Sequence, residues 1–396
     1  MNVLICCNQI PYPLKDGYSY ACLNLAKSLK DNDCKVDIFA YNTTKKKVDI
    51  NNIPNDLKIA FNWYTPELDN KLKFWNALIC LIKNRSYHVA RFDDKQLKVE
   101  LSVLLKSKEY HIIQLEGLYL GPLIETCRKN SNARIILRPH NIEHLIWERL
   151  MNNENSFFKK TYLKILSKQL KSYELGVLKK IDAILPISKI DLAFFKSNSY
   201  KIPLAHIPFG IEVKGNKQGV SNLSFFFIGS LDWQPNLEGL VWFLENIWSK
   251  FKKMYPNAIF KIAGKNTPED LLVYQDEQTL ILGEVENAYN FIEDNGIMIV
   301  PLFSGSGVRI KIIEGMAQRK CILSTPIGAE GLYEKNDEHI LIASGKEDFI
   351  SKMESLISKP EIVDEIGNNA YDYVIKNHDL KKTGAQLKTF YQSITL

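Results

Sequence analysis

Short apolar runs, bounded by polar residues or glycine and spaced by helix-length amphipathic segments, constrain this chain more than any other feature. In the first half they fall at residues 3–7, 36–39, 112–115, 135–137 and 184–187. The pattern restarts at 224–229 and continues at 258–264, 279–282, 297–300 and 321–324. Runs this short, alternating with helical segments, predict parallel strands covered by helices on both faces, hence an α/β chain with two doubly wound sheets. A chain of 396 residues exceeds one ordinary core and suits two domains of roughly 200 residues each. Residues 203–208, with Gly210, form the expected hinge, and 379–392 read as a final helix. Ligands of such folds bind outside the carboxyl ends of the strands.

The segment PLFSGSGVRIKIIEGMAQRKCILSTPIGAEGL at 301–332 carries the strongest chemical signal. An apolar strand leads into a small flexible loop, and the loop into a helix carrying Arg309, Lys311 and Glu314. Gly305 and Gly307 let the backbone approach an anion, and the free amides at the helix start point toward it. Two cations on the first turn would add the charge that a leaving diphosphate needs. Lys311 and Glu314 share a helix face, so a carboxylate able to hold ribose hydroxyls stands one turn from a phosphate binder. Arg309 lies on another azimuth and must reach from the helix start. The alternative is a surface loop before an ordinary charged helix, a common arrangement.

This block, with IGAEGL at 327–332, resembles the C-terminal signature of glycosyltransferase family 4. Four further segments resemble that group in order: PYPLKDGYSYACLN at 11–24, QLEGLY at 114–119 with LRPHNIE at 137–143, HIPFGI at 206–211, and FFIGSLDWQPN at 226–236. The resemblance implies the GT-B architecture, two facing Rossmann-like domains with a nucleotide-sugar cleft between them. Residues 1–205 would form the acceptor-binding domain and 206–378 the nucleotide-sugar domain, with 379–396 a helix packing back on the first.

Roles follow residue by residue as implications of that resemblance. Gly17 would face the donor phosphates, and His140 would hydrogen-bond the donor sugar near the reacting carbon; a structural histidine is the alternative. Asp16 would orient an acceptor hydroxyl or merely set the turn. Glu116 would line the acceptor side or cap the next helix. Gly229 and Ser230 would open the donor site, and Gly283 to Val285 would pack the base. The family motif has two glutamates, but counting back from Glu314 gives Ser306 where the first, which contacts the donor sugar, is expected, so sugar contacts would come from Ser306 or the loop's amides. The Arg and Lys usual after the first strand of the second domain are also missing, with Ser230, Pro235 and Asn236 in that region. Arg309 and Lys311 are therefore inferred to have taken over the diphosphate.

The implied activity is a retaining, metal-independent glycosyltransferase of the hexosyltransferase type. It would move a sugar from a nucleotide-diphosphate donor to a glycan or lipid-linked acceptor in cell-surface polysaccharide biosynthesis. No residue presents itself as an unambiguous nucleophile, so same-face attack assisted by the leaving phosphate is expected, with charge stabilisation the main catalytic term. No metal or other cofactor is expected if the cations and helix amides balance the diphosphate, and the absence of an Asp-x-Asp in a suitable loop is consistent with that. A nucleotide-sugar epimerase, or a non-catalytic nucleotide- or glycan-binding partner of an active transferase, is the alternative. A dinucleotide oxidoreductase is disfavoured, because no Gly-x-Gly-x-x-Gly follows a strand with an acidic residue about twenty positions on.

Composition adds bounds. Seven cysteines, at 6, 7, 22, 34, 80, 127 and 321, show no metal-like spacing and read as buried thiols of a reducing compartment. The first ten residues lack the basic start and cleavage site of a signal peptide, and no apolar run is long enough to span a bilayer. The expectation is a cytoplasmic protein, with peripheral attachment to the inner face of the membrane as an option. Net charge is +6, yet residues 157–181 hold seven lysines against one glutamate. Residues 71–91 mix Phe74, Trp75, Leu78, Ile79 and Ile82 with Lys73, Lys83 and Arg85. Both segments suit an anionic membrane surface; the alternative is amphipathic core helices with solvated basic faces. Nucleic acid is not an expected partner, since no basic and aromatic alternation or known motif accompanies the charge.

Overall fold

In the computed structural model, which describes residues 1–14, 16–198, 201–213, 224–305, 307–332 and 338–395, the chain divides into two units. The first comprises Met1–Gly210 with Leu380–Leu396, the second Ile211–Asp379.

The first unit is built on six parallel strands: β1 (Asn2–Cys7), β2 (Lys35–Ala40), β3 (Asn62–Tyr64), β4 (Ile112–Glu116), β5 (Arg134–Arg138) and β6 (Ala183–Ile184). They lie in the order β3-β2-β1-β4-β5-β6, which puts the crossover point at β1 and β4. Side chains alternate between two apolar layers, one holding Leu4, Ile113, Leu115 and Leu170, the other Val3, Ile5, Leu23 and Leu387. Burial on both faces is why these strands read as continuous apolar runs. The strand expected at 184–187 occupies Ala183–Ile184 instead, since Pro186 has no N–H for the ladder. β3, reading Asn-Trp-Tyr, had no apolar run to announce it.

The final helix, Leu380–Thr395, belongs to this unit and packs on the first helix, Gly17–Asp31. A Cβ on Gly384 would stand 2.5 Å from the Ser28 carbonyl oxygen, so the close approach of the two helices depends on that glycine. The Tyr391 hydroxyl donates to Gln114 Oε1 on β4, and Arg134 Nε donates to the Ile394 carbonyl at 2.9 Å.

The second unit repeats the plan with β7 (Phe225–Ile228), β8 (Phe260–Ala263), β9 (Thr279–Gly283), β10 (Ile297–Val300), β11 (Cys321–Ser324) and β12 (Leu341–Ile342). Their order is β9-β8-β7-β10-β11-β12, all parallel, the doubly wound order of mononucleotide-binding folds. One core layer holds Phe225, Phe227, Phe243, Trp248, Phe251, Phe260 and Phe349, with ring pairs meeting edge-on or tilted at 5.1 to 6.1 Å and Trp248 stacked on Phe251 at 6.0 Å. Offset and edge-on ring contacts add to area burial and fix one packing.

Candidate functional site

The two units carry separate clusters of functional side chains, each at the carboxyl ends of its central strands.

In the first unit, Glu116 and Arg138 are register partners at the ends of β4 and β5, both at most 1% exposed. Arg138 donates to Glu116 Oε2 at 3.2 Å, His140 Nε2 lies 2.7 Å from the same oxygen, and Gln114 donates to Oε1. Burial raises the Glu116 carboxyl, but Arg138, His140 and Gln114 outweigh it and hold the group below its usual range. The expected acceptor-lining role for Glu116 does not fit: its oxygens are buried and taken, and the residue instead fixes the His140 ring. Burial lowers His140, but hydrogen bonds to Cys22 and Glu116 and the Glu116 charge prevail, raising its pKa to about 9. The ring is therefore an imidazolium at neutral pH. Tyr18 stacks on it at 5.0 Å, and the Tyr18 hydroxyl donates to the Glu116 carbonyl at 3.0 Å.

Asp16 caps the helix Gly17–Asp31, accepting from the Ser19 amide at 2.8 Å, so Gly17 is the first helical residue. Lys46 reaches the same carboxylate at 2.6 Å. Burial raises Asp16, but Lys46, the Ser19 amide and Gln9 hold it below its ordinary value. The Lys45–Lys47 triplet thus contributes a partner to this cluster. Cys22, Glu116 and His140 offer one atom each within 4.8 Å, but Glu116 is already matched by Arg138 and the imidazolium. Burial pushes the Cys22 thiol well above its usual range, so it is no nucleophile.

In the second unit, β10 leads into a loop whose Gly305 and Gly307 have φ of +110° and +80°. Side chains rarely adopt these conformations, and a Cβ on Gly305 would also meet Arg309 at 2.7 Å and Trp233 at 3.0 Å. Arg309 is not on the first helical turn as expected; it is the N-cap residue of the helix Ile310–Ala317. Its Nη1 donates to the Gly307 carbonyl at 3.0 Å and its guanidinium lies over the Trp233 ring at 5.5 Å, so it shapes the loop. The Arg309 side chain makes no capping hydrogen bond to the helix start. Ser306 lies outside the described residues.

Lys311 is the cation at the centre of this unit's cluster. Its ammonium donates to Asn236 Oδ1 at 3.1 Å, lies over the Phe227 ring at 4.4 Å, and would stand 3.2 Å from a Cβ on Gly229. The helix start and the turn after β7 therefore meet at one cation. Asn236 Nδ2 also donates to the Ser230 carbonyl at 2.8 Å, fixing that turn. Burial, with the neighbouring Arg309 charge, lowers Lys311 to about 7. Glu314, one turn on, is half-buried and raised by burial to about 7, with no ion pair among the described residues. Gly283, at φ +67°, ends β9 beside open space, though its carbonyl already accepts from Gly264, and Val285 is half-buried.

Residues 222–359 match the family described as glycosyl transferases group 1. The second unit belongs to the group 1 glycosyl transferases. Over 340 residues the whole chain is 27% identical to the "Uncharacterized 44.6 kDa protein in cps region" of Klebsiella pneumoniae, spanning 81% of this chain and 87% of that protein. Sucrose-phosphate synthase of Thermosynechococcus elongatus superposes with a TM-score of 0.75 at 13% identity, covering 100% of this chain and 99% of its own. TarM of S. aureus, solved with fondaparinux, α-GlcNAc-glycerol and UDP, gives 0.72 at 12% identity over 98% and 99%. HepE of Anabaena, in complex with UDP, gives 0.67 at 11% over 99% and 100%. The chain has the GT-B fold, and Lys311, Asn236 and Glu314 all lie within the stretch that matches the group 1 family.

Sequence reading missed Lys46, Cys22, Tyr18, Arg138 and Tyr391 as members of the first cluster, and Trp233 and Phe227 in the second. Glu116 and Arg138 share a face only because β4 and β5 pair in register. The one available signal was a charged residue at the carboxyl end of each of two largely apolar strands.

Proposed function

We propose that this group 1 glycosyltransferase moves a sugar from a nucleotide-diphosphate donor to a hydroxyl of a glycan or lipid-linked acceptor, with retention at the anomeric carbon and without a metal. The observation that carries the reading is Lys311: a half-buried cation whose partners among the described residues are an amide oxygen and an aromatic ring, set in the first turn of its helix beside the turn after β7. A buried cation without a carboxylate partner is costly to keep charged, and a diphosphate supplies the missing charge. Arg309 holds the glycine loop and adds long-range charge, Gly305, Gly307, Gly229 and Ser230 supply the close backbone, Glu314 takes the ribose hydroxyls, and Gly283 with Val285 flanks the base.

His140 donates to the donor sugar as an imidazolium, positioned by Glu116, with Gly17 and Asp16 on the same unit's strand-to-helix turn. In the transfer step the bond from the anomeric carbon to the diphosphate oxygen breaks and its electron pair leaves with the diphosphate. The acceptor oxygen bonds on the same face, and its proton passes to the departing phosphate oxygen. Retention follows from the resemblance to glycosyltransferase family 4. The position of the Klebsiella relative in a cps region supports a role in polysaccharide assembly.

The test is to incubate the protein, with EDTA present, with nucleotide sugars and extracted lipid-linked glycans. Diphosphate release and a product keeping the donor's anomeric configuration are expected. An inverted product refutes retention, dependence on added metal refutes the metal-free account, and epimerised donor without diphosphate release replaces the reading with an epimerase.

A further inference from the structure

The helix Phe74–Ile82, reading FWNALICLI, has no buried residue along its length. Phe74, Trp75, Ile79 and Ile82 are 76%, 72%, 48% and 76% exposed, and Leu72 just before them 66%. The core-helix alternative therefore fails for this segment. The helix Phe157–Val177 behaves differently along its length. Leu166, Leu170 and Val177 are buried, while Phe157 and Phe158 at its start are 77% and 83% exposed, with Tyr162 and Ile165 following. Both segments belong to the first unit. The short helix Tyr87–Ala90 links them: its Tyr87 hydroxyl accepts from the Lys73 amide at 2.7 Å, and its His88 packs on Trp147 at 4.3 Å. Trp147 sits on the helix Glu143–Asn153, which packs against Phe157–Val177.

Apolar exposure on this scale marks a binding surface, and the accompanying charge selects the occupant. Between Phe157 and Lys171 there are five lysines and no acidic residue, and Lys71 and Lys83 flank the other helix. Lys73 is paired with Asp69, so it adds little net charge. Adjacent aromatic pairs, Phe74 with Trp75 and Phe157 with Phe158, suit the boundary between lipid headgroups and acyl chains, and unpaired lysines suit anionic headgroups. No helix among the described residues is long and apolar enough to cross a membrane. We infer that these two segments dock the first unit onto the surface of an anionic lipid bilayer, the aromatic pairs inserting and the lysines meeting the headgroups. The inference does not depend on the transferase reading, because docking needs no donor.

The test is sedimentation of the full chain with phosphatidylcholine vesicles, with and without about one-third phosphatidylglycerol, at low and high salt. The wild type is expected to bind the anionic vesicles and to be released by salt. Phe74→Ser with Trp75→Ser, or Phe157→Ser with Phe158→Ser, should each weaken partitioning by about tenfold or more. Replacing Lys159 or Lys160 by Gln should cost about fivefold each at low salt. All six side chains are exposed, so these variants should fold, as circular dichroism would verify. No binding by folded wild type, binding unchanged in both aromatic variants, or self-association in place of vesicle binding would overturn the inference. Nucleotide binding without vesicle binding would overturn it while leaving the transferase reading intact.

Discussion

Replacing Lys311 by Met should make the protein more stable and its nucleotide site weaker. Burial and the Arg309 charge bring the lysine down to about 7, so the empty folded protein holds this proton far less readily than the unfolded chain. Between about pH 7 and the ordinary lysine value of 10.5 the unfolded state binds more protons, so this group's penalty is relieved as pH rises through that window. Methionine fills similar space without the charge. After loss of the Phe227 and Asn236 contacts, a net gain of about 2 kcal/mol is expected, or about 5 °C in melting temperature. Diphosphate binding should fall ~10- to 100-fold, the loss of one charge-assisted hydrogen bond. Calorimetry in two buffers of different ionisation heat then counts protons. Wild type should take up about half a proton per diphosphate at pH 7 and about 0.8 at pH 8, if the bound lysine lies above ~9. The Lys311→Met variant should lose that component. A less stable variant with undiminished affinity and unchanged proton uptake would refute the reasoning.

Other consequences follow from the same geometry. His140→Ala should lower turnover by about 100-fold or more while diphosphate affinity holds, and wild-type activity should decline as pH rises through about 9, where the ring loses its proton; a flat rate to pH 10 would contradict the assignment. The raised histidine pKa also stabilises the fold fully below its unperturbed 6.5, with that contribution lost as pH rises through about 9, readable in denaturant midpoints. Gly305→Ala should cost about 1 to 3 kcal/mol and weaken diphosphate binding through the displaced Arg309 and Trp233, whereas unchanged midpoints would show a loop able to relax. Tyr391→Phe removes the donor to Gln114 and should cost about 1 kcal/mol, and it should shift the alkaline limb of the activity profile downward, which a purely structural tyrosine would not do.

Much of the fold was legible because strands buried on both faces must be apolar throughout; residues 297–300 and 321–324 were read at their observed bounds. β3 and the two-residue β12 were not: Asn-Trp-Tyr carries no such run, while Ile340 to Ala343 is an apolar run of four that was passed over because it is so short. In the site, the glycine loop and the helix after it were readable from local chemistry, and the structure adds that Gly305 and Gly307 take positive φ. Arg309 was misplaced by one residue at the helix boundary, enough to turn a reaching cation into one folded onto its own loop. Glu116 was misjudged for a different reason. Its burial depends on Arg138 from the next strand and on Gln114, held in turn by Tyr391 from the far end of the chain, and no local pattern joins residues 114, 138 and 391. Lys311 beside Gly229 is likewise a long-range fact, although the missing Arg and Lys after β7 pointed to a substitute.

The most direct test of the central claim is thermal stabilisation of the full chain by UDP, GDP, ADP, TDP and CMP, beside an Arg309→Ala, Lys311→Ala double variant. Ligands that bind only the folded state raise the melting temperature. One nucleoside diphosphate should raise it in the wild type and leave the folded variant unmoved. No shift with any of the five, or a shift that survives in the variant, would contradict the assignment of the donor diphosphate to this helix start.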